Sequence, residues 1–365
     1  MASLNDHHIA RIDPIDLVSH YPRPVGRNAR LGHHGSGPVA AAAIVTTDRG
    51  ATGWALTHGR MTDTERGSLV GLPLTDLFDA DRGVIDDRAR ALDLALHDLA
   101  GVILGEPVWR LLGARGETTM PCYSGAIYFD DLDPVDAPAG IDAVLTNVRA
   151  DHDAGYRAFK LKMGRGNKWL TPHSDGLAAD IAVTRAVRET FPDVTILVDI
   201  NDGSTPDAMR EYLTAVSDCR LFWVEEPFPE TRDDLALLRQ TLNEVSPDTL
   251  IAEGESGPDV PAVLELARTG LVDVMLMDIV SYGLTAWRGV MADVVAAEAV
   301  ASPHAWGVPV KTLYTAQMAA GLGDVVTVEG VPGHADGIDT SGYRLSDGMI
   351  SVPDAPGFGI AAPMR

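Results

Sequence analysis

Cysteines and long apolar segments are both scarce in this sequence of 365 residues. Cys122 and Cys219 are too few for a disulfide framework and lack the spacing of a metal site. The longest apolar run near the start, PVAAAAIVTT, is too short to cross a bilayer, and MASLNDHHIARIDP contains no secretory signal. We therefore expect a cytoplasmic protein in a reducing compartment, with no membrane partner.

Positive charge is scarce as well. The chain has 29 lysines and arginines against 52 aspartates and glutamates, which gives a formal net charge of −23. Because binding to phosphate backbones needs a basic surface, this balance argues against a nucleic-acid partner. Solubility or a salt-adapted host would explain the acidity, but an anionic substrate would then need concentrated positive charge at its site.

The segment from residue 118 onward alternates β-rich runs with helical patterns, which predicts a barrel of eight parallel strands. An open doubly wound sheet is the alternative, and the lack of a glycine-rich phosphate fingerprint after an early strand counts against it. The eight β-rich runs are, in order, TTMPCYSG, RAFKLKM, VTILVDIN, RLFWVEEP, DTLIAEGES, VDVMLMDIV, AVASPH and VVTVEG.

The segment before the barrel has a different pattern. GPVAAAAIVTTDRGATGWALTHG predicts a strand hairpin that turns near Asp48–Gly50. DDRARALDLALHDLAGVILG predicts a long amphipathic helix with one apolar stripe, ending near Gly105 and Pro107. We therefore predict an α+β domain over residues 1–117, a barrel over 118–330 and a C-terminal tail over 331–365.

Most of the predicted strands end in an ionisable residue, about one strand–helix unit apart. In a barrel such residues converge at the carboxyl ends of the strands, where active sites lie. A surface or helix-capping role is plausible for any one of them alone, but less so for the ordered series. The residues are Lys162, Asp199, Glu225, Glu255, Asp278, His304 and Glu329.

Three of these residues, Asp199, Glu225 and Glu255, are carboxylates from successive strands. Crowded at one barrel mouth they would repel one another unless a cation lay between them, and oxygen ligands of this kind suit Mg²⁺. We therefore predict one Mg²⁺ per active site. The neighbouring acids Glu226 and Glu253 leave the identity of each ligand open, although not the strand that supplies it.

Lys160 and Lys162 alternate with apolar residues, so both lysines lie on one face of their strand. Facing into the mouth beside a cation and each other, one of them can act as a free base near neutral pH. The alternative is that they merely neutralise the acidic mouth. His304 and Asp278 come from adjacent strands, and a carboxylate that orients an imidazole makes it a competent acid or base.

These residues resemble the enolase superfamily, and within it the mandelate racemase subgroup. The resemblance rests on KLKMG, VDIN, VEEP, GES, MDIVSYGLT and SPHAWG, together with the helix ALDLALHDLAGVILGEPVWRLLG. It implies a modified (β/α)7β barrel of the TIM type, under an N-terminal α+β capping domain that the C-terminal tail completes. One departure is the single Gly283 after Asp278, which leaves the following loop uncertain.

By this resemblance Asp199, Glu225 and Glu255 would bind Mg²⁺. Lys162 would be one general base with Lys160 as its electrostatic partner, and His304 with Asp278 would be the second acid–base pair. A protonated Glu329 would donate a hydrogen bond to a substrate carboxylate, and Asn201 would be a further substrate contact. These roles imply dehydration of a sugar acid, an aldonate or aldarate, to a 2-keto-3-deoxy acid through an enediolate.

Racemisation or epimerisation by the same lysine and histidine is the alternative reaction. A small-molecule carboxylate is the expected partner, and the subgroup implies a homo-oligomer.

Residues 21–35 concentrate several basic side chains, and we expect Arg27 and Arg30 among them to bind the far end of the substrate. Tyr282, Trp306 and Lys311 are further candidates. The insertion over residues 164–176 would form part of the mouth or a subunit contact.

Overall fold

The computed structural model describes residues 3–255 and 257–363, and its N-terminal part is built on an antiparallel sheet. Strands β2 and β3 of that sheet are joined at residues 48–51, which confirms the predicted hairpin. The strands of this part are β1 (Ile9–His20), β2 (Val39–Thr47), β3 (Thr52–Leu56), β4 (Phe78–Asp79) and β5 (Gly83–Val84). Its helices are α1 (Asp63–Gly67), α2 (Leu74–Leu77), α3 (Asp93–Leu104) and α4 (Val108–Leu111), with 3-10 turns at Leu4–Asp6 and Asp87–Leu92.

Eight parallel strands follow, and each contains part of one of the eight β-rich runs of the sequence. They pair in chain order from β6 to β12, and β13 returns to pair with β6. The strands are β6 (Thr119–Ile127), β7 (Ala158–Lys162), β8 (Thr195–Asp199), β9 (Leu221–Glu225), β10 (Leu250–Glu253), β11 (Val274–Met275), β12 (Val300–Ala301) and β13 (Val328–Gly330).

The ring of strands is closed beside β12. There Ala301 forms a parallel bridge with Val325, and the amide of Val326 donates to the carbonyl of Ala301 at 2.9 Å. Closure means that the fold is an α/β barrel of the TIM type, so the alternative of an open doubly wound sheet is wrong. The N-terminal sheet and helices form a capping domain on this barrel.

Helices surround the barrel, and apolar side chains fill it on both sides of the strands. Inside, Tyr123, Leu197, Trp223, Val274 and Leu276 form one buried cluster. The helices of this part are α5 (Ile141–Asp153), α6 (Arg165–Lys168), α7 (His173–Thr190), α8 (Pro206–Ala215), α9 (Arg232–Val245), α10 (Val260–Arg268), α11 (Leu284–Ala296) and α12 (Val310–Leu322), with 3-10 turns at Asp130–Leu132 and Ser217–Cys219.

Helix α3 lies where the sequence predicts a helix, and it ends as predicted at Gly105, which has a φ of 73°. The prediction of a single apolar stripe is wrong, because every residue from Asp93 to Gly101 is buried. The helix packs on β3 and also on α4 and α11, so that little of its surface faces solvent. A helix covered on several sides needs no polar face.

The C-terminal tail contributes strands to two sheets. Its strands β14 (His334–Ala335), β15 (Arg344–Ser346) and β16 (Met349–Ser351) follow the barrel, with β14 pairing antiparallel to β1 and β16 to β6. Beyond them, the indole of Trp54 donates to the carbonyl of Ile360 at 2.9 Å. The tail therefore contacts both the capping sheet and the barrel, while the domain boundaries proposed from the sequence stay predictions.

None of the helices formed by residues 3–255 and 257–363 combines the length and the apolar character that a membrane span requires.

The contact between β3 and α3 depends on a glycine, and we expect Gly53→Ala to destabilise the protein. A Cβ at position 53 would lie 2.4 Å from the backbone nitrogen of Leu99 and 2.5 Å from its Cα. Relieving such a clash costs about 1–3 kcal/mol of unfolding free energy. Gly289 on α11 is a matched control, because a Cβ there meets nothing within 4 Å.

Thermal and denaturant unfolding of both variants would measure the difference. Gly289→Ala should raise stability by about 0.5–1 kcal/mol, since alanine loses less backbone entropy in a helix. A Gly53→Ala variant as stable as the wild type would show that α3 and β3 are not in this close contact.

Candidate active site at the carboxyl ends of the barrel strands

Three ionisable residues end three adjacent strands in register. Lys162 pairs with Asp199, and Asp199 pairs with Glu225 in the parallel ladder. Residues aligned in this way point to the same face of a sheet, here the barrel interior. Phe159 and Leu161 alternate with the two lysines and join the core between the barrel and its helices. Strand periodicity thus turns the lysines inward, as the sequence predicts.

Lys160 lies beneath this row and contacts three carboxylates. Its Nζ is 2.6 Å from Glu225 Oε1, 2.9 Å from Glu329 Oε1 and 3.3 Å from Asp199 Oδ2. Burial by itself would lower the pKa of Lys160, but the surrounding carboxylates raise it well above its usual value. Lys160 is therefore a fixed cation rather than a base.

Lys162 lies one layer higher and forms an ion pair with Asp199. Its Nζ also faces the ring of Tyr128, 5.3 Å from the ring centroid. Burial would raise the pKa of Asp199, but Lys162 and Lys160 outweigh burial and lower it. The carboxylate is therefore ionised beside an amine that faces the cavity described below.

The three predicted ligands come together. Asp199, Glu225 and Glu255 each offer an oxygen within 4.8 Å of the others. Glu255 Oε2 is buried and has no hydrogen-bond partner among residues 3–255 and 257–363. An unpartnered buried carboxylate oxygen within a set of three hard oxygen donors fits a divalent cation such as Mg²⁺.

The two neighbouring acids that the sequence leaves open are separated by the fold. Glu226 lines the same cavity as Glu255, and burial together with Glu255 and Asp199 raises the pKa of Glu226 to about 8. Glu253 is buried but belongs neither to the carboxylate group nor to the lining of this cavity.

His304 and Asp278 meet as the sequence predicts. Nδ1 of His304 lies 3.0 Å from Asp278 Oδ2, and its Nε2 lies 3.2 Å from Glu255 Oε1. Lys311 also forms an ion pair with Asp278 and donates to the carbonyl of Trp306 at 3.0 Å. Although burial would raise the pKa of Asp278, His304 and Lys311 lower it, so this carboxylate can orient an imidazole and stabilise its charged form.

Glu329 departs from the expectation of a protonated side chain. Burial would raise its pKa, but Lys160 and His304, with the amide of Ala305, lower it to about 2. Its Oε2 accepts hydrogen bonds from the amides of Ala305 at 2.6 Å and Trp306 at 2.8 Å. Through these two bonds Glu329 holds the backbone next to His304, and its hydrogen bond to a substrate carboxylate stays a prediction.

A cavity of about 300 Å³ opens above these groups. Lys162 and His304 both line it and approach it from different sides of the barrel mouth. Asn201, Arg30 and Trp306 line it as well, whereas Lys160 and Glu329 lie below its floor. The other lining residues are Asn28, Leu31, His34, Tyr128, Asp202, Glu226 and Glu255.

Strained backbone marks one wall of the cavity. Asn201, Asp202 and Glu226 have φ values of 47°, 53° and 40°. The amide of Asp202 donates to the carbonyl of Glu226 at 2.6 Å, which joins the ends of β8 and β9. Non-glycine residues in this region cost free energy and cluster at functional sites.

The basic segment over residues 21–35 reaches the cavity through Arg30 but not through Arg27. Arg30 forms a 2.7 Å ion pair with Asp202. Arg27 is paired with Asp133 and stacks over Trp169, and it is absent from the cavity lining. Tyr282 lines a separate cavity beside Asp93 and Gly283. Substrate contacts by these residues stay predictions.

Sequence reasoning missed Tyr128 and Asn28, and it included His34 only as one of the basic residues of the segment over 21–35. His34 lies in the basic segment, and its ring is 4.6 Å from that of Tyr128 and 6.4 Å from that of Trp306. Burial, with a contribution from Lys162, lowers the pKa of His34. The sequence signal for His34 is its position beside His33 in a basic loop. Tyr128 follows the end of β6, and no sequence pattern distinguishes it.

The insertion over residues 164–176 contacts this basic segment. Asn167, Lys168 and Trp169 donate side-chain hydrogen bonds to the carbonyls of residues 29, 30 and 28, at 3.0, 3.1 and 2.6 Å. The insertion therefore supports one wall of the cavity, which is the first of the two roles expected for it.

Comparison with known proteins gives a consistent result. Residues 143–364 match the family model described as Enolase C-terminal domain-like. Two crystal structures of a galacturonate dehydratase from Geobacillus sp. are similar at 31% identity. A mutant form complexed with Mg gives a TM-score of 0.92, covering 98% of this chain and 93% of that one. A complex with D-galacturonate and 5-keto-4-deoxy-D-galacturonate gives 0.91, covering 98% and 95%.

Two curated relatives are more distant. A 3,6-anhydro-alpha-L-galactonate cycloisomerase of Streptomyces coelicolor is 28% identical over 275 residues, covering 74% of this chain and 68% of that one. A D-gluconate/D-galactonate dehydratase of Picrophilus torridus is 25% identical over 279 residues, with the same coverage of 74% and 68%.

The carboxylate group yields a binding prediction. Glu255→Gln should weaken Mg²⁺ binding at least about tenfold, because it replaces a charged ligand with a neutral amide. Glu253→Gln, two residues away, should leave the affinity unchanged. Isothermal titration of Mg²⁺ into each variant would check this, and equal losses in both variants would contradict the assignment of Glu255 over Glu253.

Proposed function

The chain belongs to the Enolase C-terminal domain-like family, and on this premise we propose that it dehydrates a sugar acid in a Mg²⁺-dependent reaction. The product would be a 2-keto-3-deoxy acid, counting carbons from the carboxylate. The enzyme would thus be a hydro-lyase that acts on a carbon–oxygen bond.

The observation that carries the proposal is the placement of Lys162 and His304. Both line one cavity, on either side of a group of three carboxylates. A binding module would need no pair of acid–base groups facing one ligand from two directions. Elimination of water needs both, since one group must take a proton from the carbon and another must give a proton to the departing hydroxyl.

The first step of the reaction is removal of the proton α to the substrate carboxylate. Lys162 would take it as a neutral amine, because its Nζ faces the cavity and its ion-pair partner Asp199 would instead serve as a ligand of Mg²⁺. The electron pair left on the α-carbon moves toward the carboxylate and gives an enediolate. Lys160, held as a cation beneath the floor, contributes fixed positive charge to this region.

The second step is departure of the β-hydroxyl. His304, protonated on Nε2, donates a proton to the hydroxyl as the bond between the β-carbon and oxygen breaks. The electron pair returns from the enediolate to form a carbon–carbon double bond, water leaves, and the resulting enol becomes a ketone. Asp278 holds the other ring nitrogen at 3.0 Å and stabilises the imidazolium.

Asp199, Glu225 and Glu255 are the residues that would hold Mg²⁺. When bound, Mg²⁺ supplies positive charge that offsets the negative charge of the substrate carboxylate and of the enediolate. This positive charge would also attract an anionic substrate, which the net charge of −23 on the chain would otherwise repel.

The polar cavity supports a polyhydroxylated substrate. Asn28, Arg30, Asn201 and Asp202 bring amide, guanidinium and carboxylate groups to the walls. The named relatives act on galacturonate, gluconate and galactonate, so we extend the expected class from aldonates and aldarates to uronates. In a uronate the same chemistry would run from the carboxylate end of the sugar.

Further features of the proposal concern the fold and assembly. We propose that the barrel is of the modified (β/α)7β kind, and that residues 331–365 complete the capping domain over 1–117. A homo-oligomer and a cytoplasmic location stay predictions.

Proton NMR in D₂O with Mg²⁺ and a panel of aldonates, aldarates and uronates would test the reaction. We expect one acid to lose its α-proton signal and to give a 2-keto-3-deoxy acid. Exchange of the α-proton with recovery of only the starting acid or its epimer would instead support the racemase or epimerase alternative. Turnover that persists in excess EDTA would contradict the role of the metal.

Two substitutions test the roles of the acid–base pair. Lys162→Ala and His304→Asn should each lower kcat by about 10²–10⁴-fold, while far-UV circular dichroism and Mg²⁺ binding stay unchanged. His152→Asn, on the outer helix α5, is the matched control and should keep wild-type turnover. Wild-type turnover in either cavity variant would overturn the assignment of that residue.

A further inference from the structure

A second group of metal-ligating side chains lies outside the active site, where the two ends of the chain meet. Among residues 3–255 and 257–363, His20, His334 and Asp336 bring one ligand atom each within 4.8 Å of the others. His20 ends β1, and His334 begins β14 in the C-terminal tail. The three residues belong to no cavity wall or catalytic contact described above.

Strand register explains why the side chains converge. His20 and His334 are direct partners in the antiparallel ladder between β1 and β14, and Ser19 is paired with Ala335 in the same way. Ser19 and Ala335 are buried, so their histidine neighbours face outward. Asp336 is two residues after His334, which returns it to the same face, and its amide donates to the carbonyl of Val18 at 2.9 Å.

A glycine permits this close pairing. Gly333 precedes His334 with a φ of 141°, and a Cβ at this position would lie 2.3 Å from the carbonyl oxygen of His20. No other residue could approach β1 so closely without moving it. The backbone at position 333 therefore sets the separation of the two histidines.

The three side chains already lie close together. Nε2 of His20 lies 3.1 Å from Asp336 Oδ1. The rings of His20 and His334 are stacked, with centroids 5.1 Å apart and planes 30° from each other. An ion can take the place of the proton that His20 and Asp336 share, with His334 as the next donor within 4.8 Å.

We propose that His20, His334 and Asp336 form a site for a transition-metal cation of the Zn²⁺ class. Two imidazoles and one carboxylate are the donors that Zn²⁺ takes in tetrahedral sites, and exposure leaves the fourth position to water. The donor set differs from the three carboxylates of the active site, so the two sites prefer different ions. Binding there releases a proton and links β1 to the C-terminal tail.

The location gives such an ion a structural consequence. Residue 21 follows His20 directly and begins the basic segment that forms a wall of the active-site cavity. The hydroxyl of Tyr21 donates to the carbonyl of Gly307 at 2.7 Å, and its ring stacks on Trp306 at 5.4 Å. An ion bound at His20 would fix the position at which the basic segment over residues 21–35 leaves β1.

Titration of Zn²⁺ into the untagged full chain, in excess Mg²⁺, tests the proposal. We expect a Zn²⁺ site in the wild type that His20→Ala and His334→Ala each weaken at least about tenfold. The control is His8→Ala, because His8 pairs with Asp48 at 3.4 Å in a similarly exposed histidine–aspartate contact that has no third ligand in the described part of the chain. This variant should bind Zn²⁺ as the wild type does.

Two further readouts make the result decisive. Co²⁺ should give the visible absorption of a tetrahedral site in the wild type and in His8→Ala, and this absorption should be lost in His334→Ala. Zn²⁺ should also raise the thermal unfolding temperature of the wild type but not that of folded His334→Ala. Zn²⁺ binding that is equal in all four proteins, or absent from the wild type, would overturn the proposal.

Discussion

The barrel mouth depends on one buried cation, the ammonium group of Lys160. It is 1% exposed and contacts Glu225, Glu329 and Asp199 within 3.3 Å. Neither an unpaired ammonium nor three clustered carboxylates would be stable in this interior. Each charge is therefore tolerable only because the others are present. Strand β7 supplies the cation, and strands β8, β9 and β13 supply the acids, so the charge cluster also fixes how these strands meet.

The site is built in two layers above this cluster. The strands set its floor, because in-register residues of β7, β8 and β9 share one face. The loops set its walls, and there the backbone is strained at Asn201, Asp202 and Glu226. The basic segment over residues 21–35 forms a further wall. The side chains of residues 167–169 hold this wall by donating hydrogen bonds to its backbone carbonyls. Groups that act on the part shared by many substrates can thus lie on the floor, while the walls contact the part that differs between substrates.

The sequence predicts the floor better than the walls for a physical reason. Alternation of period two shows which side of β7 carries Lys160 and Lys162, and the ordered strand ends identify the residues at the mouth. Pairing between distant segments leaves no such pattern. Arg27 and Arg30 have the same charge in the same loop, but Asp133 holds Arg27 away from the cavity while Asp202 holds Arg30 in its wall.

Helix α3 and Glu329 show two further limits of sequence reasoning. Hydrophobic periodicity locates α3 and its end at Gly105, but the number of its packed sides depends on β3, α4 and α11 together. Glu329 follows a strand run as predicted, yet its protonation depends on Lys160 and on two amides from the loop after β12. Ionisation is a property of the assembled surroundings, so it cannot be assigned from the residue and its spacing alone.

The position of the cavity walls depends in turn on the C-terminal tail. Asp98 of α3 accepts hydrogen bonds from the amides of Trp54 at 2.8 Å and Phe358 at 2.7 Å, which joins β3 to the tail. Burial raises the pKa of Asp98 to about 7, although both hydrogen bonds oppose that shift. At the far edge of the same sheet, β14 pairs with the end of β1, from which the basic segment departs. The capping sheet is therefore held by the tail at both edges. The wall that carries Arg30 and His34 is placed beside Lys162 and His304 by residues about 300 positions later in the chain.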